Sequence, residues 1–292
     1  MDKFDKYRFD GNGHFNLADF STTPEDPISK KKSKKIIESN IDQMRDLQEM
    51  MFAQDRFSNL FVLQAMDAAG KDGTISRLIS GINPQGCKVS SFKKPTPEEL
   101  GHDFLWRINQ KAPRKGIIGV FNRSHYEEVL VTRVHPSFIV YQNLPGIDKE
   151  KDIPSNFWMK RFDRIKSYED RLHSNGTQVV KFFLHVSKDE QKRRLLDRMN
   201  TPDKHWKFNV NDVNERAFWD QYMAAYQDAI QHTATPLAPW YVIPADDKPT
   251  MRALVSSIAR SHMEKTPLQF PNSGENILAD IEEARILFDQ ES

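Results

Sequence analysis

The sequence from Phe61 to Thr74 reads FVLQAMDAAGKDGT, and it decides the fold of this chain. It begins as a run rich in aliphatic residues, which predicts a buried strand, and then breaks at small residues. Apolar residues recur afterwards at Ile75, Leu78 and Ile82, a spacing that is typical of a helix. A strand, a glycine-containing turn with a lysine, and a helix together indicate a phosphate-binding loop. In such a loop, backbone N–H groups and a helix N-terminus converge on one anion, and the lysine ammonium reaches over it.

The loop departs from the strict pattern G-x-x-x-x-G-K-[ST]. Ala65 stands in place of the first glycine, Asp72 follows the lysine, and the hydroxyl comes only at Thr74. The alternative interpretation is a turn of small residues that carries one exposed lysine. The strand and the helix on either side favour the phosphate loop, whose candidate ligands are Ala68, Ala69, Gly70, Lys71, Asp72, Gly73 and Thr74.

Length and composition narrow the class of protein. The chain has 292 residues, enough for one large α/β domain, and its net charge of +1 argues against non-specific binding to nucleic acid. Cys87 is the single cysteine, which excludes an internal disulfide and a cysteine-based zinc site. The charged start lacks the apolar core of a secretory signal, and no run approaches the ~20 apolar residues of a membrane span. We therefore expect a cytoplasmic protein with no membrane or nucleic-acid partner.

Candidate strands alternate with candidate helices along the chain. Further strands are predicted at 88–92, 117–121, 179–186 and 240–244, and apolar residues at helical spacing lie between them. This alternation indicates a parallel, doubly wound sheet in one domain. The predicted organisation is an N-terminal arm over 1–35, irregular over 1–29, a main domain over 36–266 and a C-terminal tail over 267–292. The tail is expected to end in a helix that packs on its own domain or on a neighbouring subunit.

A run of lysines over 30–35 precedes the first helical pattern. We interpret it as the solvated start of an amphipathic helix, because charges on the outer face of a surface helix are common. The alternative is that these lysines extend a track for a polyanion.

Polar residues follow the third predicted strand. Asn122 and Arg123 come at its end, and Ser124 with Glu127 has the pattern of a capping box that opens a helix. Open α/β sheets bind ligands at the carboxyl ends of their strands. A second acidic residue usually holds magnesium at this place in phosphate-loop proteins, but this chain has a neutral asparagine. The alternative is that Asn122 only caps the turn.

A basic segment follows the fourth predicted strand, with a capping box from Ser187 to Glu190 at its start. Kinases with a phosphate loop place a mobile lid here, which supplies arginines to the transferring phosphoryl group. The alternative is a solvated helix face. We place the lid at about 188–211, and its candidate phosphate ligands are Arg194, Arg198, Lys204 and Lys207.

These features together predict phosphoryl transfer. Such reactions depend on positioning and on neutralising negative charge. An attacking phosphate oxygen is already anionic at neutral pH, so no strong general base is required. The nine histidines are scattered, and no arrangement of a nucleophile with a base stands out.

Several sequence strings closely resemble the polyphosphate kinase 2 family. They are QAMDAAGKDGT at 64–74, PRKG at 113–116, NRSHYE at 122–127, KFFLH at 181–185 and WKF at 206–208. The resemblance extends over roughly residues 7–263. It implies an α/β, P-loop kinase-like three-layer sandwich with a central parallel sheet and an inserted helical lid. It also implies transfer of a phosphoryl group between inorganic polyphosphate and a nucleotide, with Mg²⁺ as cofactor.

The resemblance implies roles for single residues as well. Asp67 and Lys71 match loop residues that position phosphate and metal, whereas Arg123 and Arg133 match arginines of the site. Asn122 departs from the aspartate of many members and, with the His-Tyr-Glu that follows, is similar to the class III branch, which phosphorylates AMP and ADP. Because an asparagine is a weaker ligand, metal ligation would fall to Asp67 and Glu127.

We therefore predict a polyphosphate-dependent kinase that converts AMP to ADP and ADP to ATP, with guanine nucleotides left open as further acceptors. We also expect a homo-oligomer, either a dimer or a tetramer. Polyphosphate is predicted to run along Lys93, Lys94, Arg114 and Lys115. The alternatives are an ATP-dependent nucleoside monophosphate kinase and a non-catalytic protein that binds polyanions.

Overall fold

A computed structural model describes residues 3–272 and 274–291, which form six strands and twelve α-helices. The strands are β1 (Arg8–Phe9), β2 (Ser58–Ala65), β3 (Cys87–Ser91), β4 (Ile118–Asn122), β5 (Thr177–His185) and β6 (Trp240–Pro244). The longer helices are α1 (Lys30–Gln54), α2 (Lys71–Ile79), α7 (Phe157–Ser174), α8 (Lys188–Met199), α10 (Trp219–Thr233), α11 (Lys248–Lys265) and α12 (Glu275–Gln290). The one-turn helices are α3 (Pro97–Leu100), α4 (Trp106–Asn109), α5 (Val131–Val134), α6 (Ser137–Val140) and α9 (Asn211–Asn214).

The strands form one sheet in the order β1-β6-β5-β2-β4-β3. The pairs β6-β5, β5-β2, β2-β4 and β4-β3 are parallel, as the alternation of strands and helices predicted, whereas β1 pairs with β6 in the antiparallel direction. Every residue of β2 is buried, because neighbouring strands flank it and helices cover both faces of the sheet. The α/β fold with a central, mostly parallel sheet is therefore confirmed.

Helices α1 and α11 lie side by side and run in the same direction. Ser33 Oγ donates to the carbonyl of Pro249 at 2.7 Å, Asn40 bonds Ser256 at 2.9 Å, and Arg260 bonds Gln43 at 2.9 Å. Residue numbers therefore increase in the same order along both helices at successive contacts, which shows that the helices are parallel. Because α11 begins just after β6 ends, the amino ends of both helices lie at the edge of the sheet where the parallel strands end.

The prediction of an irregular stretch over 1–29 is wrong at β1, which extends the sheet beyond β6. Helix α1 begins at Lys30, so the lysine run opens a helix as predicted. The side chains of Phe9, Phe15 and Leu17 are buried in the main core. A strand of two residues is too short to show the alternation of polar and apolar residues that identifies a strand in a sequence.

Apolar residues at helical spacing predict helices between the strands, and two of these segments are interrupted. The segment over 97–109 forms α3, which begins with a capping box of Thr96 and Glu99, and then α4 after a bend. The segment over 211–233 forms α9, a 3₁₀ turn at Glu215–Phe218, and α10. The apolar residues of these segments keep helical spacing across the breaks, so periodicity did not reveal them.

Helix α12 presents apolar side chains to solvent. Ile277, Leu278 and Ile281 are each at least 44 % exposed, so they are not buried on the domain that carries them. Packing of the tail on its own domain is therefore wrong for these side chains, and packing on a neighbouring subunit stays a prediction. Among the described residues, no helix is both long enough and apolar enough to cross a membrane.

Candidate active site

The phosphate loop joins the end of β2 to the start of α2. Ala68 and Gly70 adopt left-handed backbone conformations, with φ of 60° and 113°. These two left-handed residues turn the backbone after β2, and α2 then begins directly at Lys71. No side chain in the described part of the chain caps this helix start, so its first N–H groups remain available to an anion. The predicted strand, loop and helix are confirmed, and the anion they hold stays a prediction.

Lys71 lies across the base of this loop. Its Nζ donates to the carbonyl of Ala65 at 2.6 Å and to that of Met66 at 3.4 Å, and its side chain is buried. Burial, followed by the nearby Arg123 guanidinium, lowers the pKa of Lys71 to about 8. The ammonium is thus held by the backbone of the loop that is predicted to bind an anion, and its charge is sensitive to pH near neutrality.

Asp67, Arg123 and Glu127 form one ionic cluster beside the loop. Arg123 Nη2 donates to Asp67 Oδ1 at 2.6 Å, and Arg123 Nη1 donates to Glu127 Oε2 at 3.2 Å. The two carboxylates, Glu127 foremost, raise the pKa of Arg123. Arg123 has a φ of 61°, an uncommon value for a residue other than glycine, and such strain is often found where a side chain must be aimed.

The capping box predicted for Ser124 and Glu127 is not formed. Ser124 Oγ accepts from the N–H of Tyr126, and the Glu127 carboxylate turns to Arg123 instead. With the Gln64 amide oriented to suit its neighbours, its nitrogen also donates to Glu127 Oε1 at 2.9 Å. The stronger charge-assisted bond therefore prevails over the local cap, and Glu127 fixes the guanidinium in place.

Asn122 connects the end of β4 to α2. Its Nδ2 donates to Asp72 Oδ1 at 2.9 Å, and the other Asp72 oxygen lies 3.6 Å from Lys207 Nζ. Asn122 therefore does more than cap its own turn, which was the alternative interpretation. It belongs to a chain of contacts that brings the lid lysine Lys207 over the start of α2.

The predicted lid is a folded segment made of α8, a 3₁₀ turn at Pro202–Lys207, and α9. Arg198 Nη1 donates to the carbonyl of Lys207 at 3.0 Å and to Asp212 at 2.9 Å, which ties the two ends of the lid together. Trp206 is 79 % exposed at the tip. Lys204 pairs with Asp197 at 2.8 Å on the surface of the lid, away from the loop contacts made by Lys207.

Arg194 differs from the lid role predicted for it. Its guanidinium is buried and donates to the carbonyls of Ala69 at 2.5 Å and Ala245 at 2.6 Å, while Nε donates to Glu190 at 2.7 Å. These hydrogen bonds connect α8 to the backbone of the phosphate loop and to the end of β6, so Arg194 holds the loop in place. It lies near the middle of α8 on the buried face of the helix, and a count of basic residues does not show that direction.

We expect Arg194→Met to lower the free energy of unfolding by about 3 kcal/mol, because the buried carbonyls of Ala69 and Ala245 lose their charged donor and Glu190 loses its buried partner. Urea denaturation measures the difference. Arg193→Met is the matched control, since Arg193 pairs with the same Glu190 but its side chain is 65 % exposed, and exposed pairs contribute ~0.5 kcal/mol. Equal losses in the two variants would contradict the supporting role of Arg194.

Two residues of the predicted polyphosphate path lie at the wrong edge of the sheet. Arg114 and Lys115 precede β4, and Arg114 lies 3.7 Å from Asp55 at the end of α1. Since parallel strands begin at the edge opposite to the phosphate loop, these side chains are about one strand length away from it. Lys93 and Lys94 follow β3 and so lie at the edge of the loop, where their role stays a prediction.

A cleft opens beside the ionic cluster, and sequence reasoning missed part of its wall. Its lining includes Asp67, Arg123 and Glu127 together with Leu130, Val131, Glu215, Tyr222 and Tyr226. Tyr222 Oη and His135 Nε2 both contact the same oxygen of Glu215, at 2.7 and 2.8 Å. Arg133, predicted as a catalytic residue, pairs with Asp228 of α10. Glu215, Tyr222 and Tyr226 were missed, since they come from beyond the lid and no local pattern marks them as site residues.

A magnesium ion, which the resemblance implies, would find few protein ligands here. In residues 3–272 and 274–291, no three His, Cys, Asp or Glu side chains group closely enough to hold a metal. Glu127 is committed to Arg123, and Asn122 to Asp72. Asp67 remains partly exposed, and its charge is a cause, after burial, of the raised pKa of Asp212. Mg²⁺ is often bound by one or two carboxylates plus substrate phosphates and water, and Asp67 fits that limited role.

Comparisons with known proteins show which family this chain resembles in sequence and fold. The sequence model of the family described as Polyphosphate kinase 2 (PPK2) matches residues 27–271. A relative from Rhodopseudomonas palustris, named ADP-polyphosphate phosphotransferase, is 46 % identical over 86 % of each chain. Another from Meiothermus ruber, named AMP/ADP-polyphosphate phosphotransferase, is 43 % identical over 91 % of this chain and 95 % of its own. The crystal structure of polyphosphate kinase 2 from Arthrobacter aurescens superposes with a TM-score of 0.85 at 37 % identity, covering 96 % of this chain and 95 % of that one.

Proposed function

This chain belongs to the polyphosphate kinase 2 family, and from that membership we propose that it transfers a phosphoryl group from inorganic polyphosphate to AMP and ADP. The observation that carries the proposal is the family match over nearly the whole described fold. The uncapped start of α2, with Lys71 beneath it, supports the same chemistry, because it offers N–H groups and one ammonium to a phosphate.

In the proposed reaction, a phosphate oxygen of the nucleotide attacks the terminal phosphorus of polyphosphate in line. The bond from that phosphorus to the bridging oxygen breaks, and the shortened chain leaves with the electron pair. Lys71 and the start of α2 hold the donor phosphates, and Arg123 neutralises charge on the transferring group. Asp67 and Glu127 aim Arg123 from both sides, so the guanidinium is already in position before the substrates bind.

Mg²⁺ is part of the proposal. When bound, it would neutralise charge on the phosphate oxygens, and Asp67 is the protein group that we assign to hold it, with phosphate oxygens and water as the other ligands. Asn122 contributes a neutral amide near this place, so the metal would depend more on the substrate for its ligands than it does in a site with two aspartates.

The use of both AMP and ADP as acceptors is supported by the relative from Meiothermus ruber, whose name states both nucleotides. The relative from Rhodopseudomonas palustris is named for ADP alone, so membership of the family does not fix the acceptor. We propose that Asn122 bears on this choice, because a neutral side chain at the end of β4 leaves less negative charge beside the acceptor phosphates.

We expect Asn122→Asp to change the ratio of the specificity constants for AMP and ADP by about fivefold, since one added charge near the acceptor phosphates is worth on the order of 1 kcal/mol. The direction follows charge repulsion, so ADP should lose more than AMP. Steady-state rates with each acceptor at saturating polyphosphate give the ratio. An unchanged ratio would remove Asn122 from the basis of acceptor choice.

The decisive experiment on the function is a matrix of AMP, ADP, GMP and GDP with polyphosphate and Mg²⁺, read by chromatography and without ATP. We expect ADP and ATP as products from the adenine nucleotides. The amounts of product formed from GMP and GDP show the base preference. An ATP-dependent monophosphate kinase would give no product from AMP without ATP, although it could still convert two ADP into ATP and AMP, so the AMP reaction is the one that separates the two enzymes. A non-catalytic polyanion-binding protein would bind polyphosphate and give no product with any nucleotide.

We also propose that the protein is a homo-oligomer. The support is the apolar surface that α12 presents to solvent, since exposed apolar patches mark association sites in soluble proteins. Light scattering gives the molar mass directly, and a monomer at working concentration would oppose this part of the proposal.

A further inference from the structure

A buried ion pair lies behind the turn that carries Arg123 and Glu127. Lys181 is in the middle of β5 and is fully buried, and its Nζ donates to Glu169 Oε2 of α7 at 2.5 Å. Burial acts to raise the pKa of Glu169, but Lys181 and His125 together hold it below its usual value, so the carboxyl is charged. Glu169 is buried as well. Both charges are enclosed by the core and cannot contact a substrate in the cleft.

Two side chains connect the ion pair to the turn. After Arg123 the chain continues as a short 3₁₀ segment, in which His125 and Tyr126 are fully buried. Tyr126 Oη donates to Glu169 Oε1 at 2.8 Å, and His125 Nε2 lies 3.2 Å from the same oxygen. Arg123 and Glu127, on either side of them, line the cleft. The turn therefore presents its ionic side chains to the site and its buried aromatic side chains to the ion pair.

The same network reaches α10 and β6. Lys181 Nζ also donates to the carbonyl of Thr233 at 2.8 Å. The Thr233 hydroxyl lies 3.0 Å from Tyr126 Oη and accepts from Trp240 Nε1 at 3.0 Å. Four elements of the core, α7, β5, α10 and β6, thus hold one tyrosine of the turn in a single orientation.

A second buried ion pair fixes the end of the turn. Arg161 Nη1 donates to Glu128 Oε2 at 2.6 Å, and Gln142 Nε2 donates to the same oxygen at 2.7 Å. Arg161 and Glu169 are separated by about two helical turns on α7, so they lie on the same face of that helix. Helix α7 therefore holds the turn at both Tyr126 and Glu128.

The energetics favour orientation of the turn over stability as the role of this network. Arg123 has a φ of 61°, and such strain persists only where the surrounding structure fixes it. A buried ion pair is a costly way to stabilise a fold, because apolar side chains of similar volume often do as well or better. Position matters more at an active site, since a shift of about 1 Å can lower a rate by about a hundredfold.

We propose that Glu169 and Lys181 are positioning residues, which aim Arg123 at the transferring phosphoryl group by fixing Tyr126. This inference rests on the proposed function and deepens it, because it names buried residues outside the cleft on which the same reaction depends. With Tyr126 held, the backbone of the turn keeps Arg123 between its two carboxylates. Because Arg123 acts on charge in the transition state, loss of its orientation should lower kcat more than it raises KM.

The test removes both buried charges together. In the paired variant, Glu169→Leu is combined with Lys181→Met, so no unpaired charge remains in the core and the protein should stay folded. We expect its kcat for AMP with polyphosphate to fall by at least about tenfold, with both KM values within about twofold of the wild type. Tyr126→Phe keeps the ion pair and the ring and loses only the hydroxyl, so it should lower kcat by a smaller factor. Steady-state rates give kcat and KM.

Met263→Ala is the control for a general loss of stability. Met263 is buried near the end of α11, at the edge of the sheet opposite to the phosphate loop, and alanine leaves a cavity there. Thermal melts show how far each variant is destabilised, and the rates are measured where all of them are folded. The kcat of this control should equal that of the wild type. A fall equal to that of the paired variant would overturn the proposal, because the loss would then follow stability.

Removal of Arg123 separates positioning from a general structural effect. If the ion pair acts through Arg123, its effect should vanish once that side chain is gone. We therefore expect Arg123→Ala to have the same low kcat, within about twofold, with and without the paired substitutions. Effects that multiply would overturn the proposal, since the ion pair would then act on some other part of the site.

Hydrogen exchange gives a measurement that does not need activity. The backbone amides of residues 123–128 should exchange at least about tenfold faster in the paired variant than in the wild type, and at the wild-type rate in Met263→Ala. A paired variant with wild-type kcat, or with wild-type exchange in this segment, overturns the proposal. If the wild type does not phosphorylate AMP, the proposed function fails, and the exchange rates still decide whether the ion pair fixes the turn.

Discussion

Lys71→Ala is expected to abolish phosphorylation of AMP and ADP, with kcat reduced by at least about a thousandfold, the upper range for removal of one electrostatic donor. Lys71 is the cation that the loop backbone itself holds, through the carbonyls of Ala65 and Met66. The variant should remain folded, because burying a charged lysine is costly and alanine removes that cost. A thermal melt checks the fold, and a single-turnover assay checks the chemistry.

The pH profile gives a second measure of the same residue. Because its pKa lies at about 8, below the usual value, Lys71 is charged below that pH and loses its proton above it. The kcat/KM of the wild type should therefore fall above about pH 8, since this parameter reports groups of the free enzyme. Lys71→Arg should lack this alkaline limb, because a guanidinium stays charged. Near-normal turnover of Lys71→Ala, or an alkaline limb retained in Lys71→Arg, would refute the role of Lys71.

Asp67→Asn has the second largest expected effect, a loss in kcat of about a hundredfold to a thousandfold. The amide keeps the shape of the side chain but removes the charge that holds Arg123 at 2.6 Å and that we assign to the metal. Stability should change little, because Asp67 and Arg123 are each about a third exposed and such pairs contribute ~0.5 kcal/mol. Full progress curves at saturating AMP, polyphosphate and Mg²⁺ measure the loss.

Asp163→Asn is the matched control for this variant. Asp163 pairs with Lys166 on α7 at 3.1 Å and is 65 % exposed, so the same chemical change occurs far along the chain from the loop. Its activity should equal that of the wild type. If Asp67→Asn also retained most of its turnover, Arg123 would need no carboxylate from the loop, and the metal would require a different ligand.

The strand, turn and helix of the phosphate loop could be predicted from the sequence, because each is encoded by residues that are neighbours in the chain. A buried strand, small residues that permit positive φ, and a helix are each visible within a few positions. The ends of β4, β5 and β6 were predicted for the same reason, to within two residues. The segment predicted as the lid is one continuous stretch of helices and a 3₁₀ turn, and its role as a lid stays a prediction.

The partners of the site residues were not predictable in the same way. Arg123 and Asp67 are separated by 56 positions, and Asn122 and Asp72 by 50, so their contacts depend on strand register and not on spacing. The direction of a basic side chain is a tertiary property as well. Arg194 and Arg198 lie one helical turn apart, yet one is buried under the loop and the other ties the lid together.

The small strand β1 sets where a truncated protein can begin. The family match starts at residue 27, but β1 and the buried residues Phe15 and Leu17 precede it. A shortened form that keeps only the matched region would leave β6 with unpaired N–H and carbonyl groups along one side. An uncovered edge of this kind promotes strand-to-strand aggregation. Expression boundaries, fusion partners and affinity tags are therefore best placed ahead of Arg8, so that the sheet keeps its antiparallel border.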